Sequence, residues 1–160
     1  MVGINDSGEN KELEKILDDL SKAVSLIRNY SEQKPEDVIQ ELYKSYSNLV
    51  REVLFSDDFM RKFKKDRAGK ISIRKWGGED GKLIFEYTRP ETVDGKTPYF
   101  RIILPNDGRR VVFEYNLIDD AKKTQYAGET LSIIEELLLK KLDAKTREYN
   151  NTTRDYSTKL

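Results

Sequence analysis

Four short runs of alternating apolar and polar residues lie in the stretch KISIRKWGGEDGKLIFEYTRPETVDGKTPYFRIILPNDGRRVVFEY, residues 70–115. Apolar residues recur at every second position, which predicts strands. The strands are predicted at 70–76, 82–89, 98–104 and 109–115. Their connections, GGEDG, PETVDGKT and PNDG, supply glycines and Asp-Gly pairs for hairpin loops. Connections this short favour an antiparallel meander, because parallel strands need a crossover of about a dozen residues.

The alternation divides the predicted sheet into two faces. The core face should pack on helices and holds Ile71, Ile73, Leu83, Phe85, Tyr87, Phe100, Ile102, Leu104, Val111, Phe113 and Tyr115. The opposite side, here called the outer face, holds Ser72, Arg74, Trp76, Ile84, Glu86, Thr88, Tyr99, Arg101, Ile103, Arg110, Val112 and Glu114. Its three β-branched apolar residues indicate that a helix or a partner covers part of it.

Two or three helices are predicted before the sheet. Apolar residues spaced by four and three positions from Leu13 to Ile27 predict an amphipathic helix that ends near Asn29. A second helix is predicted to begin at Pro35, since proline suits the first turn. Ser56 is the predicted N-cap of a short third helix.

The region after the sheet is also predicted to be helical. Asn116 is a candidate N-cap, and a break is expected near Gly128. Thr130 and Ser132 are alternative caps for the helix that follows, which runs to about residue 149. The fold class is therefore α+β: N-terminal helices, a four-stranded antiparallel β-meander and a C-terminal helical region.

The expected organisation is one domain over residues 10–149, with a flexible N-terminus at 1–9 and a flexible tail at 150–160. The apolar stripes at 13–27 and 131–142 offer more helix surface than one small sheet needs. We therefore expect a homodimer through one of these stripes. The alternative is that both stripes pack on the chain's own core.

The charge of the 160-residue chain is zero overall but unevenly distributed. Residues 1–59 carry a net charge of −6, residues 60–110 carry +7, and residues 111–160 carry −1. The positive excess is densest in MRKFKKDRAGK at 60–70 and continues into the first predicted strand. Cations interleaved with aromatic residues are typical of proteins that bind single-stranded nucleic acid.

The sequence thus predicts a non-enzymatic protein that binds single-stranded DNA or RNA. The candidate binding residues are Arg61, Lys62, Lys64, Lys65, Arg67, Lys70, Arg74, Trp76, Tyr99, Arg101 and Arg110. Two alternatives remain open: the basic run is an ordinary solvated surface, or the outer face docks on a protein partner as a regulatory factor of a virus or host. Trp76 could also simply cover the end of the sheet.

Several kinds of chemistry are not expected. The chain has no cysteine and no histidine, which excludes disulfides, zinc fingers and catalysis by histidine or cysteine. No phosphate-binding or hydrolase motif occurs, so neither cofactor, metal nor enzymatic activity is predicted. The N-terminal stretch lacks the features of a signal peptide and no long apolar segment follows, so no membrane association is expected. We expect a cytoplasmic protein, or a virion-associated one if it is viral.

The order of the predicted elements resembles that of the thermoDBP-type single-stranded DNA-binding proteins of archaea. The likeness lies in the layout of helices, a four-stranded meander and a leucine-rich C-terminal helix, and it assigns no site residue. The composition, free of cysteine and rich in Lys, Glu, Tyr and Ile, is also typical of thermophiles and their viruses.

Overall fold

The computed structural model describes residues 2–30, 32–77, 80–108 and 110–159, with the side chains of residues 10–152 within those ranges. The elements are α1 (Val2–Asn29), α2 (Pro35–Leu54), α3 (Asp57–Lys64), β1 (Lys70–Trp76), β2 (Lys82–Thr88), β3 (Tyr99–Pro105), β4 (Val112–Asn116) and α4 (Asp120–Lys159). The strands form one antiparallel sheet in the order β1-β2-β3-β4. This confirms the α+β class and the meander.

The starts of α2 and α3 follow the local sequence. Pro35 occupies the first turn of α2, where its missing N–H costs no hydrogen bond, and Glu36 and Asp37 sit at the positive end of the helix. The hydroxyl of Ser56 accepts a hydrogen bond of 3.1 Å from the backbone N–H of Phe59 and so caps α3. Both predicted helix starts are confirmed.

The sheet register confirms the two predicted faces. Ile73, Phe85, Ile102 and Phe113 are successive cross-strand partners beneath the helices. Phe85 and Ile102 are fully buried, and the other two are partly buried because they lie on the edge strands. Tyr115 corrects the prediction: it is 37% exposed at the end of edge strand β4, and its hydroxyl donates to Asp120.

Aromatic rings join α3 to the core face of the sheet. Phe59 and Phe63, four residues apart on α3, meet the ring of Phe85 edge-on at centroid distances of 5.2 and 5.0 Å. Burying each of these side chains contributes about 1.5–3 kcal/mol. The short helix is therefore held by its packing, since eight residues would not be helical alone.

Helices α1 and α4 run antiparallel against each other. Arg28 meets Glu135 at 3.2 Å, and the hydroxyl of Tyr149 donates to Glu14 at 3.1 Å. The apolar stripes of both helices are buried between them and in the core, at Leu13, Leu20, Val24, Ile27, Ile134 and Leu138. The structure therefore shows the alternative arrangement, in which each stripe is covered by its own chain, and neither stripe is free to form a dimer interface. The homodimer itself stays a prediction.

Helix α4 differs from its prediction at its start, in its middle and at its end, which lies at Lys159 rather than near residue 149. It continues through Gly128 without a break, since one glycine costs only about 1 kcal/mol in a helix and tertiary packing exceeds that. Thr130 is fully buried and its hydroxyl donates to the carbonyl of Tyr126, so it is no cap. The helix begins at Asp120, and the carboxylate of Asp119, rather than Asn116, accepts from the N–H of Lys122.

Strand β4 begins at Val112, three residues later than predicted. The N–H of Val111 donates to the side chain of Gln40 on α2 at 2.7 Å instead of to a strand. The flexibility expected at 1–9 and 150–160 stays a prediction, and the side chains of residues 1–9 and 153–160 lie outside the described residues. None of the helices in the described ranges combines the length and apolar character needed to cross a bilayer.

Candidate nucleic-acid interface

The structure distributes the predicted binding residues over two surfaces. Arg61, Lys62, Lys64 and Lys65 line a groove together with Asp58 and with Lys140 of α4, here called the basic groove. Arg74, Trp76, Tyr99 and Arg101 lie on the outer face with Lys70, and Arg110 is exposed just before β4. Because α3 packs on the core face, the sheet lies between these two surfaces.

The sequence of α3 explains the basic groove. Its two buried phenylalanines face inward, and its acids and bases are separated along its length. Asp57 and Asp58 occupy the first turn, whereas Arg61, Lys62 and Lys64 occupy the last. Acidic residues at the N-terminal end and basic residues at the C-terminal end interact favourably with the helix dipole, and each such charge stabilises the helix by about 0.3–1 kcal/mol. The cations therefore gather at the C-terminal end, where α4 adds Lys140.

Three of the five cations in the basic groove are unpaired. Arg61 forms an ion pair with Asp58, and Lys62 with Glu136 at 2.7 Å. Lys64, Lys65 and Lys140 have no carboxylate partner among the residues that the structure describes. The groove thus keeps a positive charge that a polyanion can neutralise.

Arg67 has a different environment from its neighbours in the sequence. Its guanidinium lies 4.5 Å from the ring centroid of Phe63, 5.1 Å from that of Tyr126 and 5.5 Å from that of Tyr87. It also pairs with Glu129, and its side chain is only 19% exposed. The cation is therefore held by the core, where each ring contributes about 0.5–2 kcal/mol.

The connection from α3 to β1 sets this arrangement. Asp66 has a φ of 64°, which reverses the chain after the helix. A Cβ on Gly69 would lie 2.2 Å from the carbonyl oxygen of Thr88, so no other residue fits there without displacing β2. This tight connection places Arg67 over the three aromatic rings named above, and β1 begins directly after it at the edge of the sheet.

On the outer face, four charged side chains, one from each strand, form a continuous series of ion pairs. Glu86, Arg101 and Glu114 are direct cross-strand partners, whereas Arg74 stands opposite Ile84 and reaches diagonally to Glu86. Arg74 meets Glu86 at 3.0 Å, Arg101 meets Glu86 at 2.9 Å, and Arg101 meets Glu114 at 3.0 Å. We call these four residues the charge row. Burial lowers the pKa of Arg101, but hydrogen bonds and attraction from Glu86 and Glu114 raise it above its usual value overall. The charge row has no net charge, so its arginines are less available to phosphates than the groove lysines.

Aromatic and apolar groups flank the charge row. Trp76, at the end of β1, is 52% exposed, and the ammonium of Lys82 lies 5.3 Å from its ring centroid. The guanidinium of Arg101 lies 4.2 Å from the ring of Tyr99. Ile84, Ile103 and Val112 are cross-strand neighbours, and Val112 is 43% exposed. Ile84 is only 6% exposed, so Trp76 and Val112 are the apolar groups that this region presents to solvent most openly.

Three residues that shape these surfaces were not predicted from the sequence. Lys140 lies seventy residues beyond the end of the basic run at 60–70, and nothing local in the sequence connects the two. Glu86 and Glu114 were placed on the outer face by the alternation, but their pairing with Arg74 and Arg101 was not predicted. Within the described ranges, no group of three or more acidic residues is placed to hold a metal ion. No protein-family model, curated protein or solved structure matches the chain.

Proposed function

We propose that this protein is a non-enzymatic nucleic-acid-binding protein that holds the phosphates of single-stranded DNA or RNA in the basic groove. The observation that carries the proposal is the convergence of Lys64 and Lys65 with Lys140, from the other end of the chain, without carboxylate partners in the described residues. Lysines from separate elements that face one groove give a continuous positive path for a phosphate backbone.

The edge strand β1 offers a route from the basic groove to the outer face. Arg61 and Lys64 line a second depression with Ile71, and Lys70 is exposed at the start of the same strand. A single strand is flexible enough to turn around this edge and reach Trp76. A duplex is not, because its persistence length is about 50 nm. The proposal therefore favours single strands, with Trp76 as the stacking residue.

The proposal is tested by fluorescence anisotropy with a labelled oligothymidylate over a range of salt concentrations. The variant Lys64→Gln/Lys65→Gln/Lys140→Gln should lower the slope of log K against log[salt] by about 2, at about 0.7 per lost contact. The matched control replaces Lys11, Lys44 and Lys96, three exposed lysines without a described carboxylate partner, by glutamine. It removes the same charge and should leave the slope unchanged. Equal loss in both variants, or wild-type affinity no better than about 1 mM in about 50 mM salt, contradicts the proposal.

A second candidate function, docking of a protein on the outer face, is favoured by one observation. The charge row offers a phosphate backbone two carboxylates as well as two arginines, so it attracts a polyanion weakly. The two functions differ at Trp76. If the oligonucleotide reaches the outer face, Trp76→Ala should weaken its binding by about 1–3 kcal/mol with little change in salt slope. If affinity is unchanged, the strand stays in the basic groove and the outer face serves a protein.

A further inference from the structure

The charge row has an order with a geometric consequence. From β1 to β4 the signs of Arg74, Glu86, Arg101 and Glu114 are positive, negative, positive and negative. Read in the opposite direction, every sign is inverted. A surface with this property is complementary to its own reversed copy.

A twofold axis provides such a reversal. When the axis lies in the interface and runs parallel to the strands, β1 of one copy faces β4 of the other, and β2 faces β3. The backbone of Arg74 then lies opposite Val112 of the second copy, and its guanidinium, which reaches diagonally towards Glu86, faces Glu114 of that copy, while Glu86 lies opposite Arg101. We propose that the outer face binds a second copy of this chain and forms a sheet-on-sheet homodimer. The inference deepens the second candidate function, docking of a protein on this face, and does not depend on nucleic-acid binding.

The residues beside the charge row fit the same axis. Ile84 on β2 and Ile103 on β3 are direct cross-strand neighbours in one row. With β2 facing β3 of the second copy, Ile84, which is only 6% exposed in its own chain, lies level with Ile103 of that copy, and the reverse arrangement forms as well. Val112, now 43% exposed, lies over the aliphatic stem of Arg74 in the second copy. Apolar residues of one copy thus face the apolar residues of the other, and cations face carboxylates, as an isologous interface requires.

The size of the face sets the expected strength. Four strands about 4.8 Å apart and seven residues about 3.3 Å each give a planar area of roughly 400 Å² per copy. The total of about 800 Å² lies below the range of stable interfaces and is typical of weak, transient complexes. We therefore expect a reversible dimer with a dissociation constant in the range of about 1–100 μM.

Sedimentation velocity on the full chain tests the proposal directly. The mass should rise from the 18.7 kDa of one chain towards twice that value between about 1 and 500 μM protein. Constant monomer mass over that range overturns the proposal. It leaves the nucleic-acid proposal intact, because the salt-slope test of Lys64, Lys65 and Lys140 concerns the basic groove and a monomer can bind an oligonucleotide.

Two charge-reversal variants identify the interface. Arg74→Glu and Glu114→Arg each place like charges opposite each other twice in the homodimer, and each should weaken dimerisation by roughly tenfold or more. Both side chains are nearly half exposed, at 48% and 44%, and exposed ion pairs contribute little to folding, so both variants should fold. Thermal melting checks this.

Mixing the two variants gives the decisive result. In a heterodimer, the unchanged Glu114 of the first variant faces the unchanged Arg74 of the second, and the glutamate introduced at position 74 faces the arginine introduced at position 114. Both contacts then join opposite charges, so the equimolar mixture should dimerise as the wild type does, although each variant alone is weakened. A wild-type dimer that neither variant weakens, or a mixture that stays monomeric, overturns the proposal. Lys11→Glu, a charge reversal at an exposed position of α1, is the control and should leave dimerisation unchanged.

Discussion

The basic groove and the outer face both carry exposed cations, but they differ in what surrounds those cations. On the outer face Glu86 and Glu114 neutralise Arg74 and Arg101. In the basic groove three lysines are left without a described carboxylate partner. A count of cations along the sequence predicts a similar positive charge for both surfaces. The two surfaces differ in electrostatic potential, because the potential depends on the sum of nearby charges and carboxylates offset the arginines only on the outer face.

The difference arises from secondary structure. A helix places residues three and four positions apart on one side, so the separation of acids and bases along α3 survives in its surface. An antiparallel sheet instead brings together residues twelve to fifteen positions apart, as at Arg74, Glu86 and Arg101. A charge run therefore stays a patch on a helix but is divided and paired on a sheet.

The largest effect is expected from removing the ring of Phe63, which packs α3, the helix that carries the basic groove, against the sheet. Phe63→Ala should lower the free energy of unfolding by about 3–5 kcal/mol, because a buried ring is replaced by a cavity. Phe63 contacts Phe85, Tyr87 and Arg67 with its ring. Urea denaturation at neutral pH measures the change.

Phe55→Ala is the matched control for that substitution. Phe55 follows α2 and is 51% exposed, so its removal should cost less than about 1 kcal/mol. If Phe63→Ala costs no more than Phe55→Ala, α3 is not held by the packing described and the geometry of the basic groove is wrong.

The next effect separates Arg67 from the lysines beside it in the sequence. Arg67→Ala should lower the free energy of unfolding by about 2 kcal/mol, because three rings lose a cation and Glu129 is left partly buried without its partner. The salt slope of oligonucleotide binding should not change. Lys64→Gln should have the opposite pattern. The free energy of unfolding should change by less than about 0.5 kcal/mol, and the slope of log K against log[salt] should fall by about 0.7.

Urea denaturation and anisotropy on both variants give four values that test this division. A fall in slope for Arg67→Ala equal to that for Lys64→Gln would show that Arg67 contacts phosphate. In that case the side chain leaves the rings when nucleic acid binds, and the assignment of Arg67 to the core is wrong.

Much of the fold could be predicted from local pattern. Alternation and Asp-Gly turns indicated the strands, and Pro35 and Ser56 marked helix starts, because these features act within a few residues. Gly128 and Thr130 misled the prediction of α4, since packing against the core outweighs a weak local preference. An amphipathic stripe shows that a helix face is buried, but not that its own chain buries it.

The candidate surfaces were less predictable, for the same reason. The sequence could not show that Lys140 joins α3, because that contact depends on how α4 packs. It also could not show that Arg67 turns inward at Asp66 while Lys64 and Lys65 stay outside. The charge row, in contrast, was more predictable. Alternation placed its four residues on one face, and the register pairs Glu86, Arg101 and Glu114 directly, whereas the diagonal contact of Arg74 with Glu86 also depends on the side-chain conformation.

The smallest expected effect concerns two buried tyrosines of the core at alkaline pH. Burial raises the pKa of Tyr126, beside Arg67, and of Tyr43, whose hydroxyl donates to the carbonyl of Pro105 at the end of β3. The folded protein thus holds both protons more tightly than the unfolded chain, whose tyrosines titrate near about 10. The stability they contribute is complete below that pH and is lost as the pH rises through the raised values. The free energy of unfolding, measured by urea denaturation from about pH 8 to 11, should fall at the alkaline end, by at most about 1.4 kcal/mol per pH unit for each group. Tyr126→Phe and Tyr43→Phe should each make that fall shallower, whereas Tyr30→Phe, at an exposed position, should not. A fall of unchanged steepness in both variants would mean that other titrating groups, rather than these two phenols, cause the alkaline loss of stability.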